Sequence, residues 1–432
     1  MTGKDYLPPR GMRDLAGFDA ELHEYLVSEF ERIAVLNGFK PVIPPTIEFF
    51  KLFEAKSGEE IKKTMYVFED KAGRLVALRP EVTASVVRIY LRLLRGEIKP
   101  VRLYYVSQCF RYEEPQKGRY REFWQGGLEI FGDPSLNADL AVALTASRFL
   151  DEISIKHCYV VSNVAVHRAI MKKYDVPSDI QDHILHLIDK SQIDEAISVL
   201  EKQSSEAVDL MKRLLVLPLD KLLEFVEEIG LSEEEYSKII NETKRIIGFI
   251  EGLKELGYKA IYDPTLVRGL AYYTGLIYEY KVEDVEFNPS IGGGGRYDGL
   301  TTVYDGPFEY STGLALGLDR IALILKDKGQ VKTPVIVNTV IIVLEKVPLI
   351  AGYKILSRLI SIGVSGWVLR AKKIGKALST ASRKNVDYAI IIGKREYESG
   401  KVAVKDMNTG EQIVVDIDSL EKTLVEKILS KR

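Results

Sequence analysis

The chain has 432 residues, 46% hydrophobic and 28% charged, with a formal net charge of −2; it is too long for one core and too apolar for a disordered chain, so two or three globular domains are expected. Two cysteines, Cys109 and Cys158, exclude a disulfide framework and suit a reducing compartment. The longest apolar runs, such as 340–344, fall far short of a membrane span, and residues 1–14 lack the apolar segment of a leader, so a cytoplasmic protein with no membrane partner is expected.

Leu22, Leu26, Phe30 and Ile33 predict a helix over Phe18–Leu36, closed at Gly38 and barred from continuing by Pro41, Pro44 and Pro45. Pro80 stands just ahead of a helical run, so Glu81 and Thr83 fall near a helix N-terminus, where such side chains most often act as caps. Residues 102–112 and 121–131 are rich in aromatic and β-branched types and predict a long hairpin around a charged loop, 113–120. Residues 162–255 read as mostly helical, an insertion between strand-rich regions, with a capping box at Ser232–Glu235. Strand character returns over 266–280, followed by the glycine run 292–295 and a strand-to-helix segment at 313–326. Beyond a linker near 331–334, strands at 340–344, 366–369 and 388–392 alternate with helices at 349–362 and 372–384. A hairpin (401–406 and 412–415) and a last helix complete a small α/β domain with a largely parallel sheet. Residues 331–432 carry 18 Lys+Arg against 10 Asp+Glu, an excess of +8 on a body of −10. Such an end suits a polyanionic partner, or is a solvated lysine-rich surface.

Strand alternation sets Phe123, Gln125, Gly127 and Glu129 on one face. A carboxylate and an amide among aromatics make a poor core, because a buried charge is costly unless paired. That face either holds an internal salt bridge to an arginine or is the polar floor of a pocket for a cationic or amine-bearing ligand, with Gly127 leaving room for it. The stretch 111–121 carries four cations in eleven residues, which suits a polyphosphate or a solvated hairpin tip. Arg268, Tyr272 and Tyr273 sit in an otherwise apolar strand; a regular strand turns Arg268 and Tyr273 to opposite faces unless the chain bulges or turns at Gly269. The glycine run lets backbone approach a ligand or makes a tight turn. It does not fit the G-x-G-x-x-G or P-loop spacing, which disfavours Rossmann and Walker-type nucleotide sites.

Six segments, in order, resemble one family. Gly38 to Pro45 is similar to motif 1 of the class II aminoacyl-tRNA synthetases, Phe110-Arg111-Tyr112-Glu113 with the following loop and Phe123 to motif 2, and Gly317-Leu318-Asp319-Arg320 to motif 3. Arg79-Pro80-Glu81-Val82-Thr83-Ala84, the run from Leu266 to Tyr273, and Gly294-Gly295-Arg296-Tyr297-Asp298 resemble segments peculiar to the histidyl-tRNA synthetases. The C-terminal unit resembles their anticodon-binding domain, notably over 372–393.

The resemblance implies an α+β catalytic domain on a six-stranded antiparallel sheet (residues 1–330, with a helical insertion at about 162–255), an α/β anticodon-binding domain (331–432), and a homodimer. It implies a ligase that activates L-histidine with ATP and Mg²⁺ and transfers it to tRNA(His). It assigns catalysis to Arg111, Arg268 and Arg320, with Arg111 on the α-phosphate and Arg320 on the γ-phosphate. Glu113, Arg119 and Phe123 complete the ATP site, Phe123 stacking on adenine. Glu81, Thr83 and Gln125 hold the α-amino group, Glu129 and Tyr273 the imidazole nitrogens, and Arg268 the carboxylate; Val82, Arg111 and Tyr272 complete the histidine site. No side chain is assigned to a metal. Bacterial-type members have glycine, arginine, histidine and aspartate where this chain has Val82, Glu114, Trp124 and Ala271, departures that bear on tRNA-end recognition and pocket lining. The main alternative is a non-catalytic, histidine-sensing regulatory subunit. It is expected to lack the C-terminal domain and some ATP-binding arginines, whereas this chain keeps Arg111, Arg268, Arg320 and its basic last unit.

Overall fold

The computed structural model describes residues 6–54, 63–267, 272–283, 290–329 and 337–429, and the chain divides into two compact units, Met1–Thr333 and Pro334–Arg432. In chain order the strands of the first unit are β1 (Lys40–Pro41), β2 (Ile47–Phe49), β3 (Val67–Glu69), β4 (Leu75–Leu78), β5 (Val101–Phe110), β6 (Glu122–Phe131), β7 (His157–Asn163), β8 (Lys259–Tyr262), β9 (Leu276–Val282), β10 (Ser290–Arg296) and β11 (Ser311–Gly317). Eight of them form one sheet in the order β1-β5-β6-β11-β10-β9-β7-β8, and β2-β4-β3 make a small separate sheet. The six central strands are antiparallel throughout. A parallel strand, β1 on β5 and β8 on β7, is added at each edge.

Period-two alternation gives the large sheet two different faces. Tyr104, Leu128, Ile130, Tyr278, Tyr280, Leu314 and Leu316 point to one, under the helices Phe18–Leu36, Leu136–Glu152, Glu233–Glu255 and Leu318–Lys328. Leu22, Leu26 and Phe30 of the first helix are at most 1% exposed, and each such burial contributes about 1.5–3 kcal/mol. That helix carries Asp19 and Glu21 in its first turn, where they complement the helix dipole. It ends before Gly38 at φ +80°, a left-handed turn that glycine adopts without strain.

The opposite face carries Leu103, Tyr105, Phe131 and Ile277, packed with the helix Thr83–Ile89 and with the helices from Val164–Lys173 to Leu222–Glu228. Ser162 and Asn163 belong to β7 rather than to the helical stretch, and the Asn163 side chain caps the first of these helices through Ala165 N–H. Ser232 likewise caps Glu233–Glu255 through Glu235 N–H. The strand expected over 266–280 begins only at Leu276; Tyr272 lies in a turn, and Arg268, Gly269 and Ala271 lie outside the described residues. The glycine run is not a turn but the body of β10. A methyl group on Gly292 or Gly294 would meet the carbonyls of Ala315 or Gly313 on β11.

The second unit holds β12 (Asn338–Leu344), β13 (Ser365–Ala371), β14 (Tyr388–Ile392), β15 (Lys401–Asp406) and β16 (Gln412–Asp416) in the order β13-β12-β14-β15-β16. β12 is parallel to both neighbours, and β15 and β16 add an antiparallel hairpin. Ile341, Val343, Ile390 and Ile392 pack with Ile355, Leu359 and Leu424 on one face, while Val340, Ile342 and Ile391 pack with Ala377 and Ala381 on the other. Burial on both faces explains the unbroken apolar runs in β12 and β14.

Candidate active site

A cavity of about 410 Å³ opens on the sheet face that Glu129 shares with Phe123 and Gln125. Register builds its floor. Glu129 stands opposite Leu103 on β5 and Gly313 on β11; Gly127 opposite Tyr105 and Ala315; Gln125 opposite Ser107 and Gly317. A methyl group on Gly313 would collide with the Glu129 carboxylate, so that glycine is what lets the carboxylate lie across β11. The room expected above Gly127 for a ligand is taken instead by the Tyr105 ring.

Glu129 is 1% exposed. Its hydrogen-bond donors among the described residues are Thr83 Oγ1 at 2.8 Å and the Tyr297 hydroxyl, not an arginine, so the internal salt bridge is not found there. Burial pushes its pKa up to about 8, against the pull of the Tyr297 and Thr83 hydroxyls. Glu81, also buried, accepts the Ala84 N–H at 3.1 Å, so it caps the helix and lines the cavity at once. Burial raises its pKa too, opposed by the backbone N–H groups of Ala84 and Thr83. The Tyr272 and Tyr273 rings, 4.9 Å apart, and Gln125, whose Oε1 accepts the Cys109 thiol at 3.2 Å, complete this acidic, hydrogen-bonding part.

The cavity also carries three arginines, Arg111, Arg119 and Arg320, with the carboxylates of Glu113, Glu279 and Asp319 among them in the lining. Arg111 donates through Nε to Pro80 O at 2.8 Å, with its guanidinium 5.4 Å from the Phe123 ring centroid. Arg320 donates through Nε to Gly118 O at 3.4 Å and through Nη1 to Ser290 O. Its pKa is lowered, chiefly by burial and then by Arg119, against the pull of Glu279 and Glu113, with Arg111 adding a smaller push. Arg119 lies 3.7 Å from Glu113, in a loop shaped by a Gln116–Arg119 bridge and by Gly118 at φ +75°. Guanidinium groups held close against mutual repulsion make a ready receptor for an oligovalent anion.

Glu81, Thr83, Arg111, Glu113, Arg119, Phe123, Gln125, Glu129, Tyr272, Tyr273 and Arg320 thus line one cavity. Val82 does not, because its side chain is wholly buried with Val86, Val87 and Tyr90; Arg268 lies outside the described residues. Tyr105, Asp189, Glu279 and Tyr297 also line the cavity and were not foreseen. Tyr297 had a signal, its place beside Arg296 and Asp298 in the glycine-rich segment. Tyr105 needed the hairpin register, which sets it opposite Gly127. Among the described residues no group of three or more His, Cys, Asp or Glu side chains is placed to hold a metal ion.

Residues 11–321 match the family model described as histidyl-tRNA synthetase, and residues 340–427 that of an anticodon binding domain. A histidine–tRNA ligase from Saccharolobus islandicus is 39% identical over 422 residues, spanning 96% of this chain and 97% of its own. The histidyl-tRNA synthetase of Nostoc sp. PCC 7120 superposes with a TM-score of 0.79 at 20% identity, over 98% of this chain and 99% of that one. The apo enzyme from S. aureus superposes with a TM-score of 0.68 at 24% identity, over 96% and 99%. At those identities the two structures speak for the fold alone.

Proposed function

Because the chain belongs to the histidyl-tRNA synthetase family, we propose that this cavity activates L-histidine with ATP and passes it to the 3′ end of tRNA(His). The chain is a histidine–tRNA ligase. The observation that supports assigning the chemistry to this cavity is its split polarity. Two buried carboxyl groups, Glu81 and Glu129, suit the ammonium and imidazole of histidine, and Arg111, Arg119 and Arg320 suit a triphosphate. Arg111 acts electrostatically on both Glu81 and Arg320. It therefore stands where the amino acid would meet the nucleotide.

In the first step an oxygen of the histidine carboxylate attacks the α-phosphorus in line, and the bond to pyrophosphate breaks as the new P–O bond forms. Arg111 holds the α-phosphate, Arg320 the γ-phosphate, Glu113 and Arg119 the rest of the nucleotide, and Phe123 stacks on adenine. Glu81, Thr83 and Gln125 hold the ammonium group, Glu129 and Tyr273 the imidazole, and Arg268 the carboxylate. Mg²⁺ enters with ATP as part of the substrate, where it neutralises phosphate charge. In the second step a terminal ribose hydroxyl of the tRNA attacks the adenylate carbonyl and AMP leaves. Positioning and fixed charges supply the rate, with no covalent enzyme intermediate. Cys109, its pKa pushed up to about 12 mainly by burial, is no nucleophile at neutral pH.

The proposal includes a homodimer and a cytoplasmic location. On one face of the small sheet Ile47, Phe49 and Phe68 are exposed, apolar surface of the kind that marks an interface. No described helix is long and apolar enough to cross a membrane. The test is amino-acid-dependent exchange of pyrophosphate into ATP with all twenty amino acids. Histidine should support it roughly 10⁴-fold better than the rest, since a site that bonds both imidazole nitrogens is left unpaired by analogues. Comparable exchange with threonine or glycine would overturn the specificity. Exchange with none would favour a regulatory role.

A further inference from the structure

Residues 10–14, ahead of the first helix, run along the loop that carries Glu113 and Arg119. Gly11 O accepts the Arg121 N–H at 2.8 Å. Gly11 has φ +86°, and a Cβ there would stand 2.7 Å from Arg121 Cγ, so only glycine lets the two segments lie this close. Arg10 pairs with Glu114 at 2.8 Å, an exposed pair of little energetic weight. Arg13 does more. Its guanidinium lies 3.5 Å from the centroid of the Tyr120 ring and forms an ion pair with Asp319, whose side chain is 6% exposed. The other oxygen of Asp319 accepts the Trp124 N–H at 2.6 Å.

The pattern lies in which residues are gripped. Glu113, Arg119 and Arg320 are assigned to ATP, and the chain neighbour of each, Glu114, Tyr120 and Asp319, is held by this segment. Other ties between the loop and the helix Leu318–Lys328 are weaker. Arg320 Nε to Gly118 O is 3.4 Å long, and the Lys117–Asp327 pair is exposed. Arg13, by contrast, joins the two through a planar cation that stacks on one and pairs with the other.

We propose that Arg13 is a positioning residue for adenylate formation, tying the nucleotide loop to the helix that bears Arg320 so that Arg119 and Arg320 hold a fixed spacing before the triphosphate arrives. This rests on the assignment of those residues to ATP. Arg13 itself touches no substrate.

The experiment uses the full chain and the variants Arg13→Ala, Arg13→Lys and Asp319→Asn. Histidine-dependent exchange is measured with ATP and histidine titrated separately, alongside tryptic cleavage after Lys117 and Arg119. Arg13→Ala should raise KM for ATP tenfold or more with KM for histidine within twofold, and should speed cleavage of the loop severalfold. Arg13→Lys should recover part of both losses, because it keeps the charge and loses the planar stack. Asp319→Asn should mimic Arg13→Ala, and the double variant should be no worse than the poorer single one, as for a shared interaction. Unchanged loop cleavage in Arg13→Ala overturns the proposal whatever the exchange shows. So does an equal rise in both KM values with a lowered Tm, the mark of a merely structural role. Faster cleavage in a protein whose wild type shows no histidine-dependent exchange would uphold the clamp and sink the ATP assignment instead.

Discussion

The Tyr297 hydroxyl donates to the Glu129 carboxylate across Gly313, a residue of the strand that separates them. The bridge exists because β11 offers no side chain at that point, and it leaves Thr83 as the second described donor to the same carboxylate. Tyr297→Phe keeps the ring and removes one of the two donors. KM for histidine should rise about tenfold, the roughly 1.4 kcal/mol at the upper end for one ordinary hydrogen bond. KM for ATP should stay within about twofold. Exchange kinetics with each substrate varied in turn would read this out, and an unmoved histidine KM would remove Tyr297 from the recognition of imidazole.

Glu129 should cost the empty protein stability at high pH. Its folded-state pKa of about 8 lies above the ordinary 4.5, so between those values the folded chain holds a proton that the unfolded chain has released. Its favourable contribution is therefore complete below about pH 4.5 and lost as pH rises through 8. Glu129→Gln is neutral at every pH and can accept from the same hydroxyls. Without histidine, the variant should melt about 2–5 °C above wild type at pH 9 and close to it at pH 5. Its histidine-dependent exchange should fall at least a hundredfold. Calorimetry at the two pH values checks the sign, and a variant less stable than wild type at pH 9 would contradict it.

Alternation within 123–131 sufficed to group Phe123, Gln125 and Glu129, because a period of two is a local property of the chain. What the neighbouring strands contribute is not local. Gly127 looks like space for a ligand until β5 is laid beside it in register and the Tyr105 ring fills the space. The reach of Tyr297 likewise depends on β11 lying between β6 and β10. The stretch around Tyr272 has the composition of a strand, yet ladder pairing with β7 and β10 starts only at Leu276 and Ile277. Residues 10–14 show no periodicity at all. Their partners Glu114 and Asp319 lie 104 and 306 residues away from Arg10 and Arg13, and no pattern in one sequence records such meetings.

Arg320→Ala should lower histidine-dependent exchange by about 10²–10³ at saturating substrates, the usual loss when a preorganised charge partner of a transition state is removed. Among the described residues the guanidinium is hydrogen-bonded by the carbonyls of Gly118 and Ser290, and the carboxylates that act on it electrostatically, Glu279 and Glu113, are each partly exposed. Its removal therefore strands no buried anion, and Tm should move by no more than a few degrees. A loss below tenfold would place the γ-phosphate elsewhere.

Removing residues 331–432 should leave histidine-dependent exchange measurable while crippling the charging of tRNA. All the described residues assigned to histidine and ATP precede the cut, and the apolar clusters around Phe30 and Val86 close without any residue of the second unit. The clusters around Ile341 and Val340 close within the second unit in the same way. The +8 excess lies beyond the cut. Lysine and arginine contacts to phosphate release counterions, so tRNA binding by the full chain should weaken steeply with salt. The truncated protein should show a shallower salt slope and a KM for tRNA at least tenfold higher, with KM for histidine within about twofold. Gel filtration beforehand separates a change of oligomeric state from loss of tRNA contacts. If the shortened chain keeps its oligomeric state and charges tRNA as efficiently as the full one, the second unit does not read tRNA, and its positive charge is only a solvated surface.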